Sequence, residues 1–348
     1  MKKLIMSAML ATVMAVGLTA CGDNASSESG DGIGDTVVLY TSMTDNDVDN
    51  LVEEFEAKYP ECTVDVQNGS AGELTARIQA ETENPQGDVM WGGLSNAEGD
   101  SHSDIFEHWL SQYEDQIKPE YQSTNGYYNF DHISTCVLCV NTELEKELGV
   151  EINSYKDLLN PKLKGKIVFS DPNSSSAAWN NMCNIMAVYG NDSPEAWDYI
   201  NNLVNNGLVV ATFSSICFKG VADGEYVAGL TYEDGVSTLL KSGAKNIKMV
   251  YPEEGTSAAA LGCAVIKGAP HEKAAKALVD FLMSSEGQDQ LGAKLGTLRM
   301  TNENDTYVPE FLPPADEVKW VKRDTKFMTD HKDEILKHWN DIYTSANK

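Results

Sequence analysis

Four clusters of small polar residues follow predicted strands, and they are the residues in this chain best suited to chemistry. They lie at residues 41–42, 69–72, 92–93 and 173–176 and consist mainly of serine and glycine. Ligands of open α/β sheets bind outside the carboxyl ends of the strands. A helix that begins there offers free N–H groups and the positive end of its dipole to an anion. One such cluster could be only a cap and a turn, but four clusters in both halves of the chain predict an anion site.

The charge balance limits what else the chain can bind. Its 348 residues include 26 basic and 53 acidic side chains, which gives a formal net charge of −27. Nucleic-acid binding needs a basic face that displaces the counterions of phosphates, so we expect no nucleic-acid partner. The chain has only three arginines, Arg77, Arg299 and Arg323. We therefore expect phosphate charge to be met by backbone N–H groups and hydroxyls, without an arginine clamp.

No catalytic motif has usable spacing. The segment from Gly69 to Gly72 is one residue too short for a G-x-S-x-G nucleophile elbow, and Ser215 to Lys219 overshoots S-x-x-K by one residue. The adjacent carboxylates of Glu233 and Asp234 could form an acid–base pair, but at a strand end they more often contact a ligand or cap a helix. We expect no catalysis and no cofactor. A secreted hydrolase with Glu233 or Asp234 as its base is the alternative.

Metal binding is also disfavoured. Asp45, Asp47, Asp49 and Glu56 have the spacing of an EF-hand loop, but Asn50 stands where that loop needs glycine. The same segment carries a helical apolar stripe, so we interpret its acidic residues as solvated side chains at a helix start, which the helix dipole favours. Six cysteines follow Cys21, each in or beside an apolar stretch. Reduced core cysteines are favoured, and disulfides or a metal site stay open.

The N-terminus has the features of an export signal. Lys2 and Lys3 precede an apolar run at residues 4–17, which is too short to span a membrane. Leu18-Thr19-Ala20-Cys21 resembles the lipobox of bacterial lipoproteins, in which the cysteine is acylated. We predict a signal peptide at residues 1–20, a flexible tether at 21–35 and lipidation of Cys21, so that the protein is anchored to the outer face of the bacterial cytoplasmic membrane. An ordinary cleaved signal peptide is the alternative.

Strands and helices must alternate to position the clusters. Short apolar strands are predicted at residues 36–40, 63–66, 88–91 and 167–169, and each is followed by a loop or a helix. The helix that follows the first of these strands and its loop carries Val48, Leu51, Val52 and Phe55 on one face and is stopped by Pro60. This alternation predicts the α/β class, with a mostly parallel, doubly wound sheet.

Several of these segments together resemble one protein family. They are residues 39–43, 68–74, 87–93, 170–176 and 222–234, and they resemble the extracellular solute-binding proteins of ABC importers. The branch holds ferric-iron, hexose-phosphate and aminoethylphosphonate binders. The resemblance implies two α/β lobes joined by a two-segment hinge, with the ligand between them. We expect lobe 1 at residues 36–135 plus 258–348, lobe 2 at 136–257, and crossings near 132–137 and 255–260.

The resemblance also implies a ligand site and a partner. The expected ligand-binding residues are Ser42, Met43, Ser70, Ala71, Gly72, Gly93, Asn173, Ser174, Ser175, Ser176, Tyr232, Glu233 and Asp234. Ferric members carry adjacent tyrosines where this chain has Tyr232 and Glu233, and Tyr127-Tyr128 is expected to be packing. The resemblance therefore favours a phosphorylated sugar or organophosphonate, with Glu233 and Asp234 on sugar hydroxyls and ferric iron as the alternative. The implied protein is a monomer that delivers its solute to an ABC permease.

Overall fold

The structure is a computed structural model that describes residues 32–96 and 102–346. Ten strands and eleven α-helices form within these residues. The strands are β1 Thr36–Thr41, β2 Thr63–Asn68, β3 Val89–Leu94, β4 Asn129–Asn141, β5 Ile167–Ser170, β6 Val209–Ala211, β7 Ala228–Tyr232, β8 Ile247–Val250, β9 Ala258–Val265 and β10 Arg299–Met300. The helices are α1 Asp45–Lys58, α2 Ala71–Ala80, α3 Thr142–Leu148, α4 Ser176–Tyr189, α5 Pro194–Asn205, α6 Ile216–Ala222, α7 Glu233–Lys241, α8 Glu272–Met283, α9 Ser285–Leu295, α10 Thr325–Asp330 and α11 Lys332–Ala346. The predicted signal peptide and Cys21 lie outside the described residues.

Parallel pairing occurs in two groups of three strands. In the first group β1 lies between β2 and β3, with Thr36 opposite Thr63 and Leu39 opposite Val89. In the second group β5 lies between β6 and β7. Both groups arise from strand–helix–strand alternation, in which a crossover helix returns the chain to the same edge of the sheet. The predicted α/β class is confirmed.

Two long strands join the groups. Residues 129–135 of β4 pair antiparallel with β9, and the residues after them pair antiparallel with β7 and β8. Thr135 lies opposite Ala258, whereas the next residue, Cys136, lies opposite Tyr232. β9 also pairs antiparallel with β3. The sheet is therefore mixed where a mostly parallel one was expected, because the chain leaves the first group through β4 and returns to it through β9.

Each group of strands has its own hydrophobic core. Phe55 of α1 and Phe281 of α8 meet over the first group, with ring centroids 5.9 Å apart. Phe169 of β5 and Trp339 of α11 meet over the second, at 5.7 Å. A further cluster lies around Met90 of β3 in the first group and another around Val168 of β5 in the second. Each group is therefore buried within its own clusters, which is the physical basis for two lobes.

The C-terminal helices pack against the second core. Met328 of α10 and Ile335 of α11 are buried in the same cluster as Trp197 of α5. The predicted first lobe, residues 36–135 plus 258–348, would place these helices with the other core. We therefore propose an amended division in which α10 and α11 join residues 136–257, because apolar burial ties them to that side.

All six cysteines of the described part are buried thiols outside any disulfide, the state that the sequence favoured. Burial raises the pKa of Cys62 and of Cys136 to about 11, so both stay protonated at neutral pH.

No helix within residues 32–96 or 102–346 is long and apolar enough to cross a membrane.

Candidate functional site

A cavity of about 540 Å³ lies where the strands of both groups end, a size that suits a small-molecule ligand. Its walls come from the loops that follow β1, β2, β5 and β6 and from the end of β7. Ten of the predicted ligand residues line it: Ser42, Met43, Ser70, Ala71, Gly93, Ser174, Ser175, Ser176, Tyr232 and Asp234. Segments far apart in sequence thus meet at one place, as expected for the carboxyl edges of α/β sheets.

Three helices of ten or more residues begin at the cavity wall. Thr44 caps α1 and Ser70 caps α2, each in a reciprocal capping box with the side chain of its N3 residue. Ser175 caps α4, and its Oγ accepts from the backbone N of Ala178 at 3.2 Å. α2 begins at Ala71, directly after its cap, because Ser70 and Glu73 close the box. The first N–H groups of a helix have no intrahelical acceptor, so all three starts present donors to the cavity.

Hydroxyl groups from both strand groups converge at Gly93. This residue has φ of +77°, a conformation that glycine adopts without strain. A Cβ atom there would lie 2.4 Å from Cβ of Ala71, 3.2 Å from Oγ of Ser42 and 3.4 Å from Oγ of Ser176. Ser42 belongs to the first group and Ser176 to the second. Gly93 therefore lets α2, the loop after β1 and the start of α4 approach one point.

Two predicted residues flank the cavity without lining it. Gly72 lies against the second group, since a Cβ atom on it would be 3.4 Å from the carbonyl oxygen of Ser174. Asn173 is exposed and turns away, and its Nδ2 donates to Oδ1 of Asp171 at 2.6 Å and to Oδ1 of Asn340 at 3.0 Å. Gly72 thus contributes close packing across the cleft, and Asn173 connects the loop to α11.

The structure contradicts the role that was predicted for Glu233. The resemblance implied that Glu233 contacts sugar hydroxyls, but Glu233 does not line the cavity. Its two oxygens accept from Nε and Nη2 of Arg299 at 2.9–3.1 Å, and one also accepts from the hydroxyl of Tyr251. With both oxygens engaged in a buried ion pair, Glu233 has a positioning role at the start of α7. The next residue, Asp234, faces the cavity.

Several lining residues were not among the predicted ligand residues. Among them are Thr44, Asp45, Asp47, Glu73, His132, Lys219 and residues 212–215. The prediction that the acidic residues of α1 are solvated is wrong for Asp47, which is 0% exposed. The capping box did not signal this burial, because Glu73 makes the same contact with its N-cap Ser70 and is exposed. Lys219 reaches the wall from α6, which no local pattern indicated.

His132 adds a directed imidazole to the wall. Its Nδ1 lies 2.9 Å from Oδ2 of Asp131, whose carboxylate also accepts from Nε1 of Trp91 at 3.1 Å. Burial lowers the pKa of His132, but the negative charges of Asp131 and Asp234 outweigh burial and raise it overall. The ring is therefore held in one orientation with its proton retained to higher pH.

Comparison with known proteins agrees with this geometry. Residues 50–329 match the family described as bacterial extracellular solute-binding protein. The chain belongs to this family. Structurally, this solute-binding protein is similar to the periplasmic binding protein AfuA of Actinobacillus pleuropneumoniae with fructose-6-phosphate bound, with a TM-score of 0.79, 28% identity, and coverage of 89% of this chain and 98% of AfuA.

Curated relatives of the solute-binding protein are named after different ligands. Iron uptake protein A1 of Synechocystis is 25% identical over 311 residues, which cover 82% of this chain and 83% of the relative. A putative 2-aminoethylphosphonate-binding periplasmic protein of Salmonella typhimurium is 24% identical over 265 residues, covering 74% and 75%. These names include ligand classes that were expected from the sequence. The names differ, so the ligand of this chain has to be inferred from the residues of its own cavity.

All three arginines of the solute-binding protein lie outside the cavity wall. Arg77 pairs with Glu81 at 2.8 Å, Arg299 pairs with Glu233, and Arg323 donates to Oγ of Ser257 at 2.7 Å. An anion in the cavity is left with N–H groups, hydroxyls, Lys219 and His132 as its donors.

Tyr232 is the tyrosine in the wall. Burial, followed by the charge of Asp234, raises its pKa above the ordinary range. Tyr128 of the Tyr127-Tyr128 pair is instead buried in a core cluster with Phe106 and Phe130. Tyr232 is therefore a protonated phenol at neutral pH, and the Tyr127-Tyr128 pair contributes no phenol to this wall.

Proposed function

We propose that this solute-binding protein captures a small phosphorylated sugar or organophosphonate and delivers it to the permease of an ABC importer. The observation that carries the proposal is the convergence of three helix starts, α1, α2 and α4, with the hydroxyls of Ser42 and Ser176 on one cavity. Charge-assisted hydrogen bonds of this kind contribute about 1.5–3 kcal/mol each. Such a donor set fits a tetrahedral oxyanion with several oxygens.

The remainder of the cavity suits a polar carbon chain attached to the phosphorus oxyanion. Ser214 and Ser215 follow β6, Asp234 stands at the end of β7, and Lys219 reaches in from α6. Phe213 lines the same wall and is 53% exposed. These side chains offer hydroxyl, carboxyl and ammonium groups beside one apolar surface, which is the composition that a hydroxylated or amino-substituted carbon chain requires.

Ferric iron is the competing ligand, because a relative is named an iron uptake protein. No group of three or more His, Cys, Asp or Glu side chains within the described residues could hold a metal ion. Hard cations favour several charged oxygen ligands. We therefore rank iron below a phosphorus oxyanion, and tight ferric binding that depends on Tyr232 would reverse that order.

Binding is proposed to be non-covalent and to close the cleft. Ligand contacts from both strand groups would stabilise the closed arrangement, with motion at residues 132–137 and 255–260.

We propose that the protein acts as a monomer and that acylated Cys21 holds it at the outer face of the cytoplasmic membrane, with residues 22–35 as tether. A secreted hydrolase remains the alternative from another class, and turnover of a phosphate ester by the purified protein would support it.

A thermal-shift screen tests the proposal most directly. The purified protein is mixed with sugar phosphates, aminoethylphosphonate, inorganic phosphate and ferric salts in separate wells. A ligand present at 100 times its dissociation constant stabilises the folded state by about 2.7 kcal/mol, which moves the melting temperature by several degrees. Stabilisation by a phosphorus compound supports the proposal, and stabilisation by ferric salts alone contradicts it.

A further inference from the structure

Asp47 has a buried oxygen without a donor. Its Oδ2 accepts from the backbone N and the Oγ1 of Thr44, at 3.3 and 2.7 Å. Its Oδ1 is buried, and no N–H or O–H group of the part of the chain that the structure describes donates to it. Leaving a buried carboxylate oxygen unsatisfied costs about 1–3 kcal/mol or more. The oxygen therefore needs a proton or another donor.

The group beside that oxygen is a second carboxyl, Asp234. Asp234 lies within hydrogen-bond reach of Asp47 and is itself only 7% exposed. Its Oδ1 is 3.5 Å from Oγ1 of Thr238, a contact at the outer limit of a hydrogen bond. Two ionised carboxylates repel each other and cannot hydrogen-bond, whereas one proton between them satisfies both.

We infer that Asp47 and Asp234 share a proton in the cavity wall and that this proton lets an acidic wall accept an anionic ligand. The pairing rests on the buried Oδ1 of Asp47 that lacks a donor and on the neighbouring positions of the two carboxyls in one cavity wall, and its effect on the ligand rests on the proposed function. Without the proton, the wall would carry four carboxylates, adding Asp45 and Glu73, against Lys219 and His132. The shared proton removes one negative charge beside the helix starts that receive the ligand.

The surroundings determine the sign of the pH dependence. The groups that face the pair are Asp131 and His132 of β4, Tyr232 of β7, Thr44 of the α1 cap, Thr238 of α7, and Thr297 and Tyr307 after α9. Arg299 is bound to Glu233. Burial is the main cause that raises the pKa of both carboxyls. The negative charge of Asp131 raises the pKa of Asp47 further, and the negative charge of Asp47 raises the pKa of Asp234 further. Hydrogen bonds from threonines and the imidazole of His132 act in the opposite direction without reversing the result.

The proton can be tested without any ligand. An acid whose pKa is raised on folding binds more protons in the folded than in the unfolded state, so stability falls as pH rises from about 4. Asp47→Asn keeps an oxygen for Thr44 and places an amide donor where the proton lay. Chemical unfolding is measured between about pH 5 and pH 9. The free energy of unfolding of Asp47→Asn should rise relative to that of wild type as pH rises.

A matched variant controls for loss of charge. Asp49 is exposed on the same helix and does not line the cavity. Asp49→Asn should follow the wild-type profile. Parallel profiles for wild type and Asp47→Asn overturn the inference. If Asp47→Asn does not fold, Asp234→Asn carries the same expectation, and a wild-type-like profile for that variant overturns it equally.

Binding then tests the effect on the ligand, with fructose 6-phosphate as the probe. A phosphate ester has its second pKa near 6 and is a dianion above about pH 7. Calorimetry should show wild-type affinity falling about tenfold from about pH 7 to pH 9, as one like charge appears beside the anion. Asp234→Asn should stay flat over that range. Equal slopes in both proteins overturn the effect on the ligand, while absence of binding at every pH contradicts the proposed sugar phosphate and leaves the unfolding profiles to decide the shared proton.

Discussion

Arg299 and Glu233 form a buried ion pair that joins β10 to the start of α7, with Nε 3.0 Å from Oε2 and Nη2 2.9 Å from Oε1. The two side chains are 9% and 3% exposed, and Nη2 also donates to the carbonyl oxygen of Pro313 at 2.8 Å. Because Asp234 follows Glu233 directly, this pair holds the helix start that presents Asp234 to the cavity.

We predict that Glu233→Gln destabilises the fold. Removing one partner of a buried ion pair leaves an uncompensated charge, here Arg299, and costs about 3–5 kcal/mol. Chemical denaturation should report that loss, while calorimetry at a temperature where the variant is folded should show ligand affinity within a few-fold of wild type. Glu83→Gln is the control, because Glu83 is exposed. A large change in sugar preference with unchanged stability would restore the role that the sequence suggested for Glu233.

A carboxylate at the start of α4 should abolish anion binding. Ser175→Asp keeps a good N-cap residue, so we expect a folded protein whose new negative charge repels the ligand. Ser193→Asp is matched to it, since Ser193 caps α5 through the same bond, from the N of Ala196 at 3.1 Å, away from the cavity. Calorimetry with the best compound from the screen should show binding only in the control. Wild-type affinity in Ser175→Asp would rule out this anion site.

Gly93 should be needed for the two sides to approach. Gly93→Ala would place a Cβ atom 2.4 Å from Cβ of Ala71 at φ of +77°, so both strain and a clash are expected. Gly224→Ala measures the strain alone, because Gly224 has φ of +81° and nothing within 4 Å of its Cβ position. Positive φ costs about 1–2 kcal/mol. We expect Gly93→Ala to lose more stability than the control and to lose ligand affinity; equal losses would mean that the contact is not required.

Ligand should make the protein more compact. If the anion bridges the helix starts of both strand groups, it stabilises the closed arrangement by its differential affinity. Small-angle scattering should then show a smaller radius of gyration at saturating ligand than without it. Ser175→Asp supplies the comparison, since the same compound should leave its radius unchanged. Equal radii for wild type with and without a bound ligand would contradict closure.

Lipid attachment should depend on Cys21. Wild type should partition with membranes after export and incorporate a labelled fatty acid, whereas Cys21→Ala should be left unprocessed or released. Ser26→Ala changes the tether but keeps residues 18–21 intact, so its labelling should match wild type. Unchanged labelling of Cys21→Ala would show that the lipobox interpretation is wrong.

The local elements of this protein could be predicted from sequence because short-range chemistry sets them. The strand at residues 36–40 was predicted from its apolar run and occurs at Thr36–Thr41. Ser175 was expected at a helix start and caps α4 through a bond to a residue three positions away. Caps, breakers and strand ends depend on nearby residues, and the carboxyl edge of an α/β sheet then predicts where such ends meet.

The direction in which each side chain points was decided by tertiary structure alone. Glu233 and Asp234 are adjacent carboxylates, and local pattern does not distinguish them. Arg299, which lies 66 positions along the chain, binds the first and leaves the second facing the cavity. Asp47 looked like a solvated helix-start residue, yet the approach of α7 buries it against Asp234. Burial and charge pairing depend on groups distant in sequence, so only the folded arrangement determines which acids meet solvent, ligand or each other.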